Sequence, residues 1–146
     1  SDEYFHYLSL NDTQVIYTSE QTLDTYNEPG MVTLADSYLN DFYQEFWTGY
    51  LDDCLACDDT YNFFLRHCDD FITPYASTDP SEDICESFAF FVLRPRDFRA
   101  DEDVWSRKLD FFYQYPQLVA FREEVRGNLG LAWGEYFESR QEADAA

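Results

Sequence analysis

The sequence predicts a mainly α-helical domain, a bundle of about five to six helices behind a loop-rich N-terminal quarter. Three observations predict it. Apolar residues recur at spacings of three and four through most of residues 34–137, which gathers them on one side of a helix. Helix punctuation falls where those patterns begin and end, at Asp79-Pro80, Arg94-Pro95 and Pro116. Residues 10–32, by contrast, are polar and turn-prone up to Asn27-Glu28-Pro29-Gly30. With 14 Phe, 12 Tyr and 3 Trp among 146 residues, the chain has ample material for one core.

Taken in order, residues 2–9 form a short apolar segment, and Val15-Ile16-Tyr17 reads as a short strand inside the turn-prone stretch. Thr33 is a candidate cap for a long helix running to about residue 54, with Asp36 completing a near capping box. Its apolar face is Leu34, Tyr38, Leu39, Phe42, Phe46, Tyr50 and Leu51. A second helix, about 60–71, carries Tyr61, Phe64, Leu65 and Cys68 on one side, with Asp58 and Asp59 at the positive end of its dipole. After a loop over 72–79, Asp79 caps a third helix that presents Ile84, Phe88, Phe91 and Val92 and stops before Arg94-Pro95. A fourth helix, about 102–114, shows Val104, Trp105, Leu109 and Phe112. A fifth begins at Pro116 with Leu118, Val119, Phe121 and Val125. A last stretch with Trp133, Tyr136 and Phe137 fades into a polar tail. No repeat or low-complexity linker divides the chain, so one domain over residues 1–146 is expected.

Charge narrows the partners. Thirty Asp plus Glu face nine Lys plus Arg, a formal net charge of -21, and Lys108 is the only lysine. So negative a surface repels phosphate backbones and anionic lipid, which argues against nucleic acid as a partner. No apolar run reaches the roughly 18–20 residues of a membrane span. The opening Ser1-Asp2-Glu3-Tyr4 lacks the basic and apolar regions of a leader peptide. Lysine poverty also fits adaptation to high salt, in which case molar salt should raise stability.

Four cysteines, Cys54, Cys57, Cys68 and Cys85, allow three disulfide pairings, and their even number favours a secreted or extracytoplasmic location. Cys54-Leu55-Ala56-Cys57 also has the gap of a zinc knuckle, but no second knuckle matches it. A bridge between Cys68 and Cys85 would clamp the third helix onto the second and leave Cys54 to pair with Cys57. His67, among Arg66, Asp69 and Asp70, reads as a surface residue. No Gly-rich phosphate loop or nucleophile elbow is present, and the many carboxylates give no specific glycosidase pattern.

The most informative stretch runs from Tyr75 through Glu82, Cys85 and Glu86 to Phe91. Glu82 and Glu86, four apart, share one helical face near the arrival of the Tyr75 loop. By itself this is a solvated acidic first turn that the helix dipole favours. With a metal, the same residues become a ligand, a supporting carboxylate and a hydrogen-bond donor. The stretch resembles the third-ligand helix of gluzincin-type zinc metallopeptidases, in particular a bacterial secreted group with helices reading N-P-x-E-D-F-A-E-x-F-A. The anthrax toxin lethal factor catalytic domain is similar there, with a tyrosine seven residues before a zinc-binding Glu. The resemblance continues through Asp110-Phe111-Phe112-Tyr113-Gln114-Tyr115-Pro116, and upstream Asp2-Glu3-Tyr4-Phe5-His6 is similar to an altered H-E-x-x-H motif.

By that resemblance, His6 and Glu82 are metal ligands and Asp2 stands at the first ligand position. Glu3 is the general base, Tyr75 a donor to the developing oxyanion, and Glu86 a carboxylate that orients the ligand helix. The implied cofactor is zinc, and the implied substrate is a peptide or protein. An Asp at the first position makes the set carboxylate-rich, which suits harder cations better than zinc. The family places strands and a supporting helix before its motif, whereas this chain begins at the motif. The resemblance therefore implies the C-terminal helical portion of a peptidase fold, a partial or degenerate enzyme completed by an N-terminal partner segment and not active alone. The alternative is a non-catalytic, secreted acidic helical module that binds a basic protein partner or cations.

Overall fold

The computed structural model describes residues 15–18, 24–50, 60–96 and 103–131, and over them the protein is mainly helical. A small antiparallel sheet comprises β1 (Val15–Tyr17), β2 (Asn27–Glu28) and β3 (Met31–Thr33), in the order β1-β3-β2. Among the described residues five α-helices follow: α1 (Tyr38–Phe46), α2 (Thr60–Arg66), α3 (Pro80–Leu93), α4 (Val104–Phe111) and α5 (Pro116–Asn128). Single 3₁₀ turns at Cys68–Asp70, Tyr75–Thr78 and Phe112–Gln114 join them.

The sheet displaces the expected start of the first helix. Met31, Val32 and Thr33 are all buried and pair with β1, and Met31 and Val32 pair with β2 as well, Val32 lying opposite Ile16 and Asn27. Pro29 and Gly30 make the turn into β3, and Gly30 has the positive φ (84°) that a side chain resists. Thr33 is therefore a strand residue and its hydroxyl donates to the Tyr26 carbonyl at 2.6 Å. Ser37 takes over as cap, its Oγ accepting from the Asn40 amide at 2.8 Å. Asn40 in turn accepts from the Tyr26 amide at 3.0 Å, which fastens the sheet to α1.

Helix α3 lies at the centre, packed on α1, α4, α5 and the 75–78 turn. Its bounds follow from local chemistry. Asp79 is extended and accepts from the Glu82 amide at 2.9 Å, Pro80 occupies the first turn, and Arg94 leaves the helix before Pro95. Phe88, Phe91 and Phe112 meet with centroids 5.3–5.7 Å apart, and each such side chain contributes about 1.5–3 kcal/mol on burial. The C-terminal end of α3 has no basic residue of its own. Helix α5 supplies two. Arg122 donates to the carbonyls of Phe91 (2.8 Å) and Arg94 (2.9 Å), and Arg126 to those of Val92 (3.3 Å) and Leu93 (2.7 Å). These guanidiniums satisfy acceptors that a helix end leaves open, where the dipole favours positive charge.

On three helices the most buried side chains are not all those of the expected face. On α2 the buried residue is Phe63, 6.2 Å from Trp47 and 5.7 Å from Phe71, while Tyr61, Leu65 and Cys68 are exposed. Tyr61, Phe63, Phe64 and Leu65 nearly encircle that short helix, so periodicity alone does not choose among them. On α4 the buried side is Ser106, Lys108 and Phe111, and on α5 it is Leu118, Arg122 and Arg126. Of the expected faces, Phe112 and Leu118 are buried, and Val104, Leu109, Val119, Phe121 and Val125 pack half-buried against the same core. The second helix also ends at Arg66, five residues early, and passes into the Cys68–Asp70 turn.

Candidate functional site

Successive residues of a helix point about 100° apart, and the first turn of α3 uses this to address three surroundings. Ser81 donates to the Glu28 carboxylate, which also accepts from the Tyr26 hydroxyl at 2.9 Å, so the sheet is tied to this turn. Glu82 faces the loop that arrives from Phe71, and its carboxylate acts on the Tyr75 phenol. Asp83 points inward and is fully buried.

The loop is shaped by its own hydrogen bonds. Thr73 Oγ1 accepts from the Ala76 amide at 3.0 Å and donates to Glu86 Oε2 at 3.2 Å. Ser77 and Thr78 donate back to the carbonyls of Pro74 (2.6 Å) and Tyr75 (2.7 Å). Through Thr73 the loop that carries Tyr75, itself 55% exposed, is bound to Glu86 on the Glu82–Glu86 face. The hydrogen bond to Glu82, then partial desolvation and the negative charges of Glu82 and Asp79, push its phenol up to about 12. At neutral pH the hydroxyl keeps its proton and remains a donor.

Beneath this surface pair lies a buried ionic network that the sequence pattern does not announce. Lys108 Nζ of α4 is 2.7 Å from Asp83 Oδ2, with both side chains buried. Trp47 Nε1 donates to the same oxygen at 2.8 Å, and Ser87 Oγ donates to Oδ1 at 3.3 Å. Lys108 also donates to the Asp70 carbonyl at 2.7 Å and lies 3.9 Å from the centroid of the Phe71 ring. Burial drives the carboxyl above its ordinary range and the ammonium below its own, and their contact and hydrogen bonds oppose both shifts. One signal does point to it: in a chain almost devoid of lysine, the single lysine falls within a helical apolar pattern.

The remaining predicted site residues divide as follows. Asp2, Glu3, His6, Cys54 and Cys57 lie outside the described residues. Among the described residues no three His, Cys, Asp or Glu side chains converge as a metal centre. Cys68 and Cys85 are not joined in a disulfide, since Cys68 is exposed on its turn and Cys85 is buried on α3. His67 is not the expected surface residue but half-buried, packed 4.7 Å from the Tyr50 ring and 4.8 Å from Phe63, with Nδ1 3.8 Å from the Asp70 carboxylate. No helix among the described residues is long and apolar enough to cross a membrane. No family model matches the chain, and no curated protein or solved structure matches it significantly.

Proposed function

We propose that this chain is a partial or degenerate relative of gluzincin-type zinc metallopeptidases, enzymes that hydrolyse peptide bonds. The observation that carries the reading is the loop of Tyr75 held against the Glu82–Glu86 helix, where Thr73 donates to Glu86 at 3.2 Å and Asp79 caps the Glu82 amide at 2.9 Å. A metal-ligand carboxylate and an adjacent phenol that keeps its proton are what such a site needs on this side. Zinc, when bound, would polarise a peptide carbonyl and acidify a water molecule. The described donors supply one ligand, Glu82, so a zinc centre would also require Asp2 and His6. Within the chain's own chemistry, Tyr75 would donate to a substrate oxygen. Glu86, held by Thr73, would keep the helix face oriented, and Glu3 would take a proton.

The test is zinc binding by the purified chain, followed by calorimetry and metal analysis, beside the variants Glu82→Gln and His6→Ala. The expected result is one zinc per chain, with affinity at least tenfold weaker in each variant. No uptake by the parent, or uptake indifferent to both substitutions, would overturn the reading.

A second reading is favoured by a different observation. Lys108, Arg122 and Arg126, three of the nine basic residues, are buried and bonded internally, so the exterior is more one-sidedly acidic than the net charge of -21 conveys. An acidic module of this kind would capture a basic protein partner or cations. Binding of a polylysine peptide that weakens steeply with ionic strength would support it, and salt-independent or absent binding would refute it.

A further inference from the structure

We propose that Tyr61 and Leu65 on α2, together with Tyr75 on the neighbouring turn, form a docking surface for a basic amphipathic helix of a partner protein. Such docking rests on the second reading, in which an acidic module captures a basic protein, and gives that capture its place in the fold. Tyr61 and Leu65 are four apart, so they share one face of α2, and they are 57% and 52% exposed. Phe63 turns inward and is fully buried, which anchors α2 to Trp47 and Phe71 and leaves the Tyr61–Leu65 face outside. The 75–78 turn packs on both α2 and α3, and there Ala76 and Ser77 are buried while Tyr75 stays outside. Single exposed apolar side chains are ordinary on a protein surface, but three of them on two packed elements make a patch.

Charge selects the occupant. Residues 60–86 hold six acids, Asp69, Asp70, Asp79, Glu82, Asp83 and Glu86, against one arginine, Arg66. Asp83 is buried with Lys108, whereas Asp69 is exposed and Asp79, Glu82 and Glu86 are half-buried, so the patch has an acidic rim. A second copy of this chain carries the same net charge of -21 and would be repelled, as would an anionic lipid surface. A segment rich in lysine or arginine would be attracted, and its cations would find the open faces of the Tyr61 and Tyr75 rings. Large side chains at i and i+4 form the kind of ridge against which another helix packs, so a helical apolar face is the matching shape. Tyrosine suits such a surface, because it offers a broad apolar ring and keeps its hydroxyl in water.

The test is calorimetric titration of the purified chain with two synthetic probes. One is a Leu/Lys peptide whose leucines recur at spacings of three and four, and the other is an oligolysine of the same charge. The Leu/Lys helix should bind at least about tenfold more tightly, and its advantage should persist as salt is raised, since apolar contact is not screened. Tyr61→Ser with Leu65→Ser, checked for folding by circular dichroism, should abolish that advantage and leave oligolysine binding unchanged. Leu129→Ser, which removes a leucine of similar exposure after α5, should retain it. Should the double variant fail to fold, Tyr75→Ser on the separate turn is read instead and should weaken the Leu/Lys helix at least about threefold. An advantage that survives these substitutions, or that the parent never shows, would overturn the proposal, while salt-sensitive oligolysine binding would still uphold the second reading. Binding of neither probe would overturn both. Self-association of the parent that the double variant abolishes would also overturn the proposal, in favour of a second copy as occupant.

Discussion

Replacing Lys108 by methionine should be among the most damaging single substitutions in this protein, and its surroundings say why. The side chains are similar in length, so little volume is lost. Asp83 remains, fully buried, with donors only from Trp47 and Ser87, and the Asp70 carbonyl loses its 2.7 Å partner. Breaking a buried pair from one side costs about 3–5 kcal/mol, because a charge is stranded in a medium that solvates it poorly. Replacing both partners, Asp83→Leu with Lys108→Met, removes the stranded charge and should be close to neutral or stabilising by about 1–4 kcal/mol. The assay is urea denaturation of the parent, the single and the double variant at neutral pH. The pH dependence has a definite sign. Burial raises the carboxyl of Asp83, so the folded state prefers its protonated form, and that preference stabilises only at acid pH and is lost as pH rises through the folded value. The deficit of the single variant should therefore shrink as pH falls toward about 4, the ordinary range of Asp. A cost below about 1 kcal/mol for the single change, or a double variant as unstable as the single, would refute the reasoning.

Three further expectations follow from other parts of the fold. Asp79→Ala removes the cap that binds the Glu82 amide and should cost about 1 kcal/mol, read from the denaturation midpoint, with faster amide exchange in the first turn of α3. Arg122→Met strands the buried Phe91 carbonyl and should cost about 1.5–3 kcal/mol, with lost exchange protection in the last turn of α3. The phenols of Tyr50 and Tyr75 are each pushed up to about 12, mainly by hydrogen bonds to Asp70 and Glu82. Their contribution is complete below pH 10 and is lost as pH rises toward 12, so Tyr50→Phe should flatten the alkaline loss of stability in thermal melts above pH 10.

Much of the central helix and its site is legible in the sequence. Asp79 and Pro80 open α3, Arg94-Pro95 ends it, Pro116 opens α5, and Val15–Tyr17 is a strand, because caps, prolines and β-branched residues act within a turn of themselves. The approach of the loop to the Glu82–Glu86 face is likewise local, since Thr73 of that loop donates to Glu86 and the turn and the Asp79 cap follow within a few residues. Thr33 misleads for an equally local reason: a threonine suits a cap or a strand, and only pairing with Val15 of β1 decides for the strand. His67 misleads because its neighbours in sequence are polar, whereas its neighbours in space are Tyr50 and Phe63.

By itself, then, the sequence determined that the chain is mainly helical, where its central helix begins and ends, and that Glu82 and Glu86 share a face. Tertiary structure alone decided that Phe63 is the buried residue of α2 and that Lys108, Arg122 and Arg126 are buried. The physical reason is one of range. A helix start is settled by groups a few ångströms apart along the chain, but a charge can be buried only if its partner arrives from elsewhere. Asp83 awaits Lys108 from α4, and the open carbonyls of α3 await the two arginines of α5.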